Sequence, residues 1–96
     1  MGTLREALDA AIRAEGDAIA AEFMALMEAG VDPSGPEAAA VAMRHRDYLS
    51  RWFYDCTPQI HHGLAEMYVA DPRFAKKWNG YGPGLAVYVR DAILAA

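Results

Sequence analysis

The sequence contains a single cysteine, Cys56, and no long uninterrupted apolar run among its 96 residues. One thiol cannot form an intramolecular disulfide, and no signal-peptide pattern opens the chain, so we expect the reducing cytoplasm as its compartment. No segment approaches the roughly 20 apolar residues that cross a bilayer. These absences predict a soluble chain that does not interact with a membrane.

Basic residues are also scarce. Lys and Arg number 9 against 13 Asp and Glu, which gives a net charge of −4, whereas a surface that binds nucleic acid usually carries a basic excess. We therefore expect no DNA binding by this chain itself. The acidic residues are concentrated in residues 1–40 and the basic residues in 41–96, so the two parts should attract each other.

The sequence also lacks segments in which apolar and polar residues alternate, which is the pattern of a half-buried β-strand. We therefore predict no β-sheet. The length suits one domain with one modest core. Apolar residues recur at spacings of three and four, and proline and glycine divide them into five helices. The predicted helices cover residues 3–29, 37–54 and 58–69, a short stretch through 73–77, and a last segment that Pro83 opens. The predicted class is all-α.

The first predicted helix is the longest. Thr3 and Glu6 form a capping-box pattern at its start, and Gly30 is a typical stop. Gly16 lies inside it and costs about 1 kcal/mol relative to alanine. We therefore expect either one long helix or two helices joined at Gly16, with Gly16 as the place for a bend or for fraying of the first half.

Aromatic residues are abundant after position 47, where nine of the ten lie. This density exceeds the need of so small a core, and aromatic rings supply contact area to ligands. The alternative is that most of them are core, as aromatic residues at helical spacing usually are. Trp52, Phe53 and Tyr54 are consecutive, and at about 100° per residue at least one of them must face a second surface or a pocket.

Four side chains carry the chemistry that a reactive or metal-binding site would need: His45, Cys56, His61 and His62. His45 falls on the apolar face of the second helix, either as a hydrogen-bonded core histidine or as a polar group in a ligand pocket. Cys56 precedes the third helix, where the helix dipole lowers a thiol pKa.

A Cys56–His61 nucleophile is the resulting enzymatic hypothesis, but no third orienting group accompanies the pair, and a buried structural thiol is the alternative that we favour. The spacing of the four residues matches no zinc pattern. We predict no enzymatic activity, no catalytic residue, no metal and no cofactor.

Several segments of the sequence resemble the TipA-type (TipAS) antibiotic-recognition domain. The segments are His45-Arg46, Trp52 to Cys56, His61, Leu64 to Phe74, Pro83 to Ala86 and Arg90 to Ile93. The resemblance spans about residues 20–96. It implies a compact five-helix, globin-like bundle without haem, which serves as the C-terminal effector-binding domain of MerR-family transcriptional regulators.

The resemblance further implies one TipAS-like domain over residues 1–96, excised from a longer regulator, in which residues 1–30 form an amphipathic and mobile helix. DNA binding would belong to a separate N-terminal domain of a homodimeric parent, whereas the isolated domain would be a monomer. Its function would be to capture a bulky apolar or aromatic molecule, such as a peptide antibiotic, in a groove between helices.

In the thiopeptide-binding prototype of this family a cysteine attacks the antibiotic, and the matching position here is Gly63. The resemblance therefore implies reversible binding. The candidate ligand-binding residues include four that match the family, Tyr54, His61, Leu64 and Met67. They also include Gly63 at the position of the cysteine, and His45 and Trp52 from the second helix. The alternative hypothesis is a protein–protein interaction module whose groove binds a partner helix.

Overall fold

The computed structural model describes residues 2–96, most of which are helical. The helices are α1 (Leu4–Glu28), α2 (Pro36–Trp52), α3 (Pro58–Ala70), α4 (Pro72–Asn79) and α5 (Leu85–Ala95). No strand occurs within residues 2–96, which confirms the all-α class and the five helices. None of these helices combines the length and apolar character that crossing a bilayer requires.

Helix starts follow from local side-chain chemistry. The Thr3 hydroxyl accepts a hydrogen bond from the Glu6 N–H, and a Glu6 carboxylate oxygen accepts one from the Thr3 N–H, both at 3.1 Å. This is the predicted capping box. Pro36, Pro58 and Pro72 begin α2, α3 and α4, where the absence of an N–H costs nothing because the first N–H groups of a helix have no intrahelical partner.

The start of α5 differs from the prediction that Pro83 opens it. Gly84 is the N-cap, with a φ of +88°, and the helix begins at Leu85. Glycine adopts this left-handed conformation without steric cost. A glycine has no side chain to cap the helix, and the side-chain oxygen of Asn79 instead accepts from the Ala86 N–H at 3.0 Å.

The first helix is continuous through Gly16, so the alternative of one long helix is confirmed. The buried face of α3 is one residue out of phase with the prediction. His61, Ala65 and Tyr68 are buried, whereas Ile60, predicted to be on the apolar face with Leu64 and Met67, is 42% exposed.

The core lies where α5 packs against the other helices. Its largest fully buried side chains are Phe23, Leu85, Val89 and Ile93. The Cα radius of gyration is 13.5 Å, near the value of about 12.5 Å expected for a compact chain of this length. The bundle is therefore compact, although the start of α1 contributes little to the core, since Leu4 and Leu8 are exposed.

Candidate ligand-binding cavity

A cavity of about 510 Å³ lies between α1, α2, α3, α4 and the loop that follows α4. This volume is within the range of roughly 300 to 1,000 Å³ that is typical of small-molecule sites. Seven of the ten aromatic residues line it: Tyr48, Phe53, Tyr54, Tyr68, Phe74, Trp78 and Tyr81. The wall is therefore built mainly of aromatic rings.

Apart from Gly16 and His45, the remaining lining residues divide into two groups. Apolar contact comes from Ala20, Leu49, Leu64 and Met67. Charged groups come from Arg13 and Asp17 of α1 and from Lys77 of α4. A large apolar surface with few polar groups is typical of sites in which rings provide affinity and polar groups fix orientation.

His45 is surrounded by aromatic rings at the buried end of this cavity. Its ring centroid lies 5.7 Å from that of Trp78, 6.2 Å from Tyr68, 6.3 Å from Tyr48 and 6.5 Å from Phe23. Three of the four contacts are edge-to-face, the arrangement that aromatic quadrupoles favour.

Nδ1 of His45 lies 2.9 Å from Nε2 of His61, and both side chains are buried. Burial lowers the pKa of His45 to about 3, with smaller contributions from the charges of His61 and Lys77. Burial likewise lowers the pKa of His61 to about 4, assisted by Arg46 and His62. Both imidazoles are therefore neutral at pH 7, and one donates the hydrogen bond that the other accepts.

The structure places four of the seven candidate ligand-binding residues in the cavity wall: His45, Tyr54, Leu64 and Met67. Phe53 lines it as well. Two of the three consecutive aromatic residues 52–54 thus face the pocket. The prediction that the second helix continues to Tyr54 is wrong, because α2 ends at Trp52 and both pocket-facing residues follow its end.

The other three candidates lie outside the cavity wall. Trp52 is directed toward α1, where its Nε1–H donates to Glu15 Oε2 at 2.8 Å. His61 contacts His45 but is not itself one of the lining residues. Gly63 is exposed on α3, and a Cβ built there meets no described atom within 4 Å.

Several lining residues were not singled out from the sequence, in particular Phe74, Trp78 and Tyr81. The high aromatic content indicated their residue class but not their positions, because α4 and the following loop reach the cavity only through the tertiary fold. Tyr81 Oη donates to Asp17 Oδ1 at 2.8 Å, which connects this loop to α1 at the edge of the cavity.

Cys56 does not have the environment of a nucleophile. Its side chain is 3% exposed, and burial is the largest influence on the thiol, raising its pKa against the opposing effect of Arg46. The expectation of a lowered pKa at the start of α3 is therefore wrong, because burial disfavours the charged thiolate more than Arg46 favours it. Within residues 2–96, no cluster of three or more His, Cys, Asp or Glu side chains is arranged to hold a metal ion.

A compact helical bundle with an aromatic cavity defines a small ligand-binding domain. The family model of the TipAS antibiotic-recognition domain matches residues 3–96, and the chain belongs to this family. The HTH-type transcriptional activator TipA of Streptomyces coelicolor is 44% identical over 84 residues, which are 88% of this chain and 33% of TipA. The HTH-type transcriptional activator mta of Bacillus subtilis is 42% identical over 83 residues, 86% of this chain and 32% of the relative.

Solved structures of the family have the same fold. TipAS from Streptomyces lividans in complex with nosiheptide superposes with a TM-score of 0.83 at 44% identity, over 88% of this chain and 59% of that one. The antibiotic-binding domain of a TipA-class multidrug resistance transcriptional regulator gives 0.81 at 44% identity, over 88% and 89%. The similarity confirms the predicted resemblance and fold. The chain spans about a third of the length of its curated relatives, which are transcriptional regulators.

Proposed function

We propose that this chain is the effector-binding domain of a MerR-type transcriptional regulator, and that it captures a bulky, apolar and aromatic small molecule reversibly in the cavity. Residues 1–96 form one such domain, monomeric when isolated. In the longer, homodimeric and cytoplasmic parent, a separate N-terminal domain binds DNA, and occupation of the cavity controls transcription. Thiopeptide antibiotics are the ligand class that the family suggests, since TipAS from Streptomyces lividans binds nosiheptide.

The aromatic wall of the cavity is the observation that carries this proposal. A ligand that buries a few hundred Å² of apolar surface gains about 25 cal/mol per Å². After association and ordering costs are subtracted, affinity on the order of micromolar is expected. Because a thiopeptide is larger than 510 Å³, we propose that part of it inserts between the rings while the rest remains outside.

The candidate residues take two roles in this proposal. His45, Tyr54, Leu64 and Met67 contact the ligand, since they line the cavity. Trp52 and His61 support the wall indirectly, through Glu15 and His45.

Gly63 offers no thiol for a covalent bond, and the only thiol, that of Cys56, is buried with a raised pKa. Binding is therefore expected to be reversible. We propose no enzymatic role, in agreement with relatives that are transcriptional regulators.

A nosiheptide titration followed by tryptophan fluorescence tests the proposal. Trp78 lines the cavity and Trp52 does not, so a Trp52→Phe background assigns the signal to Trp78. We expect saturable quenching or a spectral shift of Trp78. Absence of any Trp78 response to nosiheptide and to a panel of hydrophobic antibiotics would contradict the proposed function.

Two variants on the same helix localise the binding. Met67→Ala removes a side chain from the cavity wall, whereas Ile60→Ala shortens an exposed side chain of α3 that does not line the cavity. We expect Met67→Ala to weaken nosiheptide binding about tenfold and Ile60→Ala to leave it unchanged. Equal effects of the two substitutions would place the ligand elsewhere.

A further inference from the structure

The His45–His61 pair has a property that a single cavity histidine lacks. The contact at 2.9 Å joins Nδ1 of His45 to Nε2 of His61, so each neutral ring can be either donor or acceptor in it. Because each neutral ring carries one proton, the ring that donates this hydrogen bond has no proton on its second nitrogen, and the ring that accepts it does. The second nitrogen of His45, Nε2, belongs to a residue that lines the cavity.

Nε2 of His45 is available to a ligand. It has no hydrogen-bond partner among the described residues, although the side chain is only 4% exposed. No side-chain nitrogen or oxygen within residues 2–96 is both sealed from solvent and unpartnered. This nitrogen is therefore reached by solvent. Because Nδ1 is directed to His61, which does not line the cavity, and His45 itself is a lining residue, we infer that Nε2 borders the cavity. A buried polar group without a protein partner gains substantially from a hydrogen bond to a bound molecule.

We propose that His45 and His61 act as a tautomer pair that presents either a donor or an acceptor to ligands in the cavity. This inference rests on the proposed function and adds a specificity rule to it. In the donor form, His61 Nε2–H donates to His45 Nδ1, and His45 carries its proton on Nε2. In the acceptor form, His45 Nδ1–H donates to His61 Nε2, and His45 Nε2 presents a lone pair.

Exchange between the two forms conserves charge. A proton moves from His61 Nε2 to His45 Nδ1 along the hydrogen bond, His45 Nε2 releases a proton to water, and His61 Nδ1 takes one up from water. His61 Nδ1 also has no partner among the described residues and is not sealed from solvent, for the reason given for His45. His61 is thus the positioning residue, and His45 makes the ligand contact.

The surroundings of the pair keep both rings neutral, as this exchange requires. The charged or titratable groups that act on the rings from α2, α3 and α4 are Arg46, His62 and Lys77, all of which oppose a further positive charge. Within residues 2–96, no carboxylate hydrogen-bonds either ring. The favoured ligands are therefore neutral aromatic molecules with one donor or one acceptor, and the pair accommodates both.

Three bicyclic probes of similar size separate these properties. Indole offers an N–H donor, quinoline offers a nitrogen acceptor, and naphthalene offers neither. Protein labelled with nitrogen-15 histidine reports the tautomer of each ring through two-bond proton–nitrogen correlation spectra at pH 7, and ring-current shifts at Trp78 report occupation of the cavity. We expect indole to increase the acceptor form of His45 and quinoline to increase the donor form. Naphthalene should occupy the cavity without changing the ratio.

Replacement of His61 by Nδ1-methylhistidine fixes the pair in the acceptor form, because the methylated ring can only accept at Nε2. We expect quinoline binding to weaken about tenfold, the typical value of one net hydrogen bond, while indole binding is retained. The same replacement at exposed His62 is the matched control and should change neither affinity. His61→Gln, whose amide can donate or accept, should restore binding of both probes.

The outcomes separate this inference from the proposed function. If the polar probes occupy the cavity without shifting the tautomer ratio, or if the methylated protein loses both probes equally, the tautomer pair is refuted and the proposed function stands. If none of the three probes perturbs Trp78, the tautomer pair is refuted, and the nosiheptide titration decides separately whether the proposed function stands.

Discussion

Tyr48 lies so close to Gly16 that no side chain fits between them. A Cβ built on Gly16 would be 2.8 Å from Tyr48 Oη, and the same hydroxyl donates to the carbonyl oxygen of Ile12 at 3.0 Å. Gly16 thus allows α2 to approach α1 closely. Its role here is a packing contact at the cavity wall, which Gly16 and Tyr48 both line.

We expect Gly16→Ala to lower the free energy of unfolding by about 1 to 3 kcal/mol, because the methyl group must displace the Tyr48 ring. The expected loss is opposite in sign to the usual effect, since replacing glycine by alanine inside a helix normally raises the free energy of unfolding by about 1 kcal/mol. Urea denaturation provides the measurement. In a Tyr48→Phe background, which removes the hydroxyl, the loss should be smaller, and an undiminished loss would argue against the proposed clash.

The opposite result is expected at Gly63, in the middle of α3. A Cβ there meets no described atom within 4 Å, so Gly63→Ala has no steric cost and should raise the free energy of unfolding by about 0.5 to 1 kcal/mol. Thermal or urea unfolding checks this. Destabilisation by Gly63→Ala would reveal a contact that the structure does not contain.

Gly63→Cys tests reversible capture. We expect the natural sequence to form no covalent adduct with nosiheptide, because its only thiol is buried and burial raises its pKa. A thiol at position 63 should add across the double bond of a dehydroamino acid in the antibiotic, so that a C–S bond forms and the thiol proton passes to the other alkene carbon. The adduct is detectable as an increase in the mass of the intact protein by one antibiotic molecule. A Cys56→Ser background identifies the reacting sulfur. An adduct on Cys56 in the natural sequence would contradict reversible binding.

Glu15 connects α1 to the end of α2 through two hydrogen bonds. Its carboxylate accepts from Trp52 Nε1–H at 2.8 Å and from Arg51 Nη1–H at 2.7 Å. Glu15→Ala should lower the free energy of unfolding by about 1 kcal/mol, since hydrogen bonds to a charged group that is only partly exposed contribute measurably to stability. The substitution should also accelerate amide hydrogen exchange in α1. Glu22→Ala breaks the more exposed ion pair with Arg44 and should have a smaller effect.

The buried histidine pair predicts a pH dependence of stability. Desolvation lowers the pKa of His45 to about 3 and that of His61 to about 4, from 6.5. As the pH falls below 6.5, the unfolded chain takes up protons that the folded chain does not, so the free energy of unfolding decreases. The stabilisation is complete above pH 6.5 and is lost progressively toward pH 3, in total on the order of several kcal/mol.

Urea denaturation between pH 7 and pH 5 measures this slope. Within this interval the carboxylates of Asp32 and Asp71, whose pKa values hydrogen bonds lower further, stay ionised. A double variant with His45→Gln and His61→Gln should flatten the slope, whereas His62→Gln on the exposed face serves as the control. An equally steep slope in the double variant would assign the pH dependence to other groups.

Helix boundaries were predictable wherever one or two neighbouring residues decide them. The capping box of Thr3 and Glu6 and the prolines that begin α2, α3 and α4 act within a single turn, so their effect is visible in the sequence. The predicted start of α5 at Pro83 was wrong. The actual start depends on the left-handed backbone of Gly84 and on the Asn79 side chain, and a proline at position 83 indicates neither.

The site was predictable in kind but only partly in position. The aromatic excess indicated a pocket, and His45 was recognised on a buried helix face. The buried face of α3 was misassigned because His61 and Tyr68 were not counted among its apolar residues, although both are buried. Contacts between distant segments, such as His45 with His61 or Tyr81 with Asp17, depend on how the helices pack. No local pattern in the sequence encodes them.

The burial of Cys56 has a practical consequence for spectroscopy. Since the chain has no other sulfhydryl, maleimide or methanethiosulfonate reagents should leave the native protein unmodified. A single cysteine introduced at an exposed site on α1, such as Ala14→Cys, would then carry a spin label or a fluorophore at one defined place. Distances between that label and a second one on α4 would follow any displacement of α1 during ligand uptake, with the native cysteine left in place.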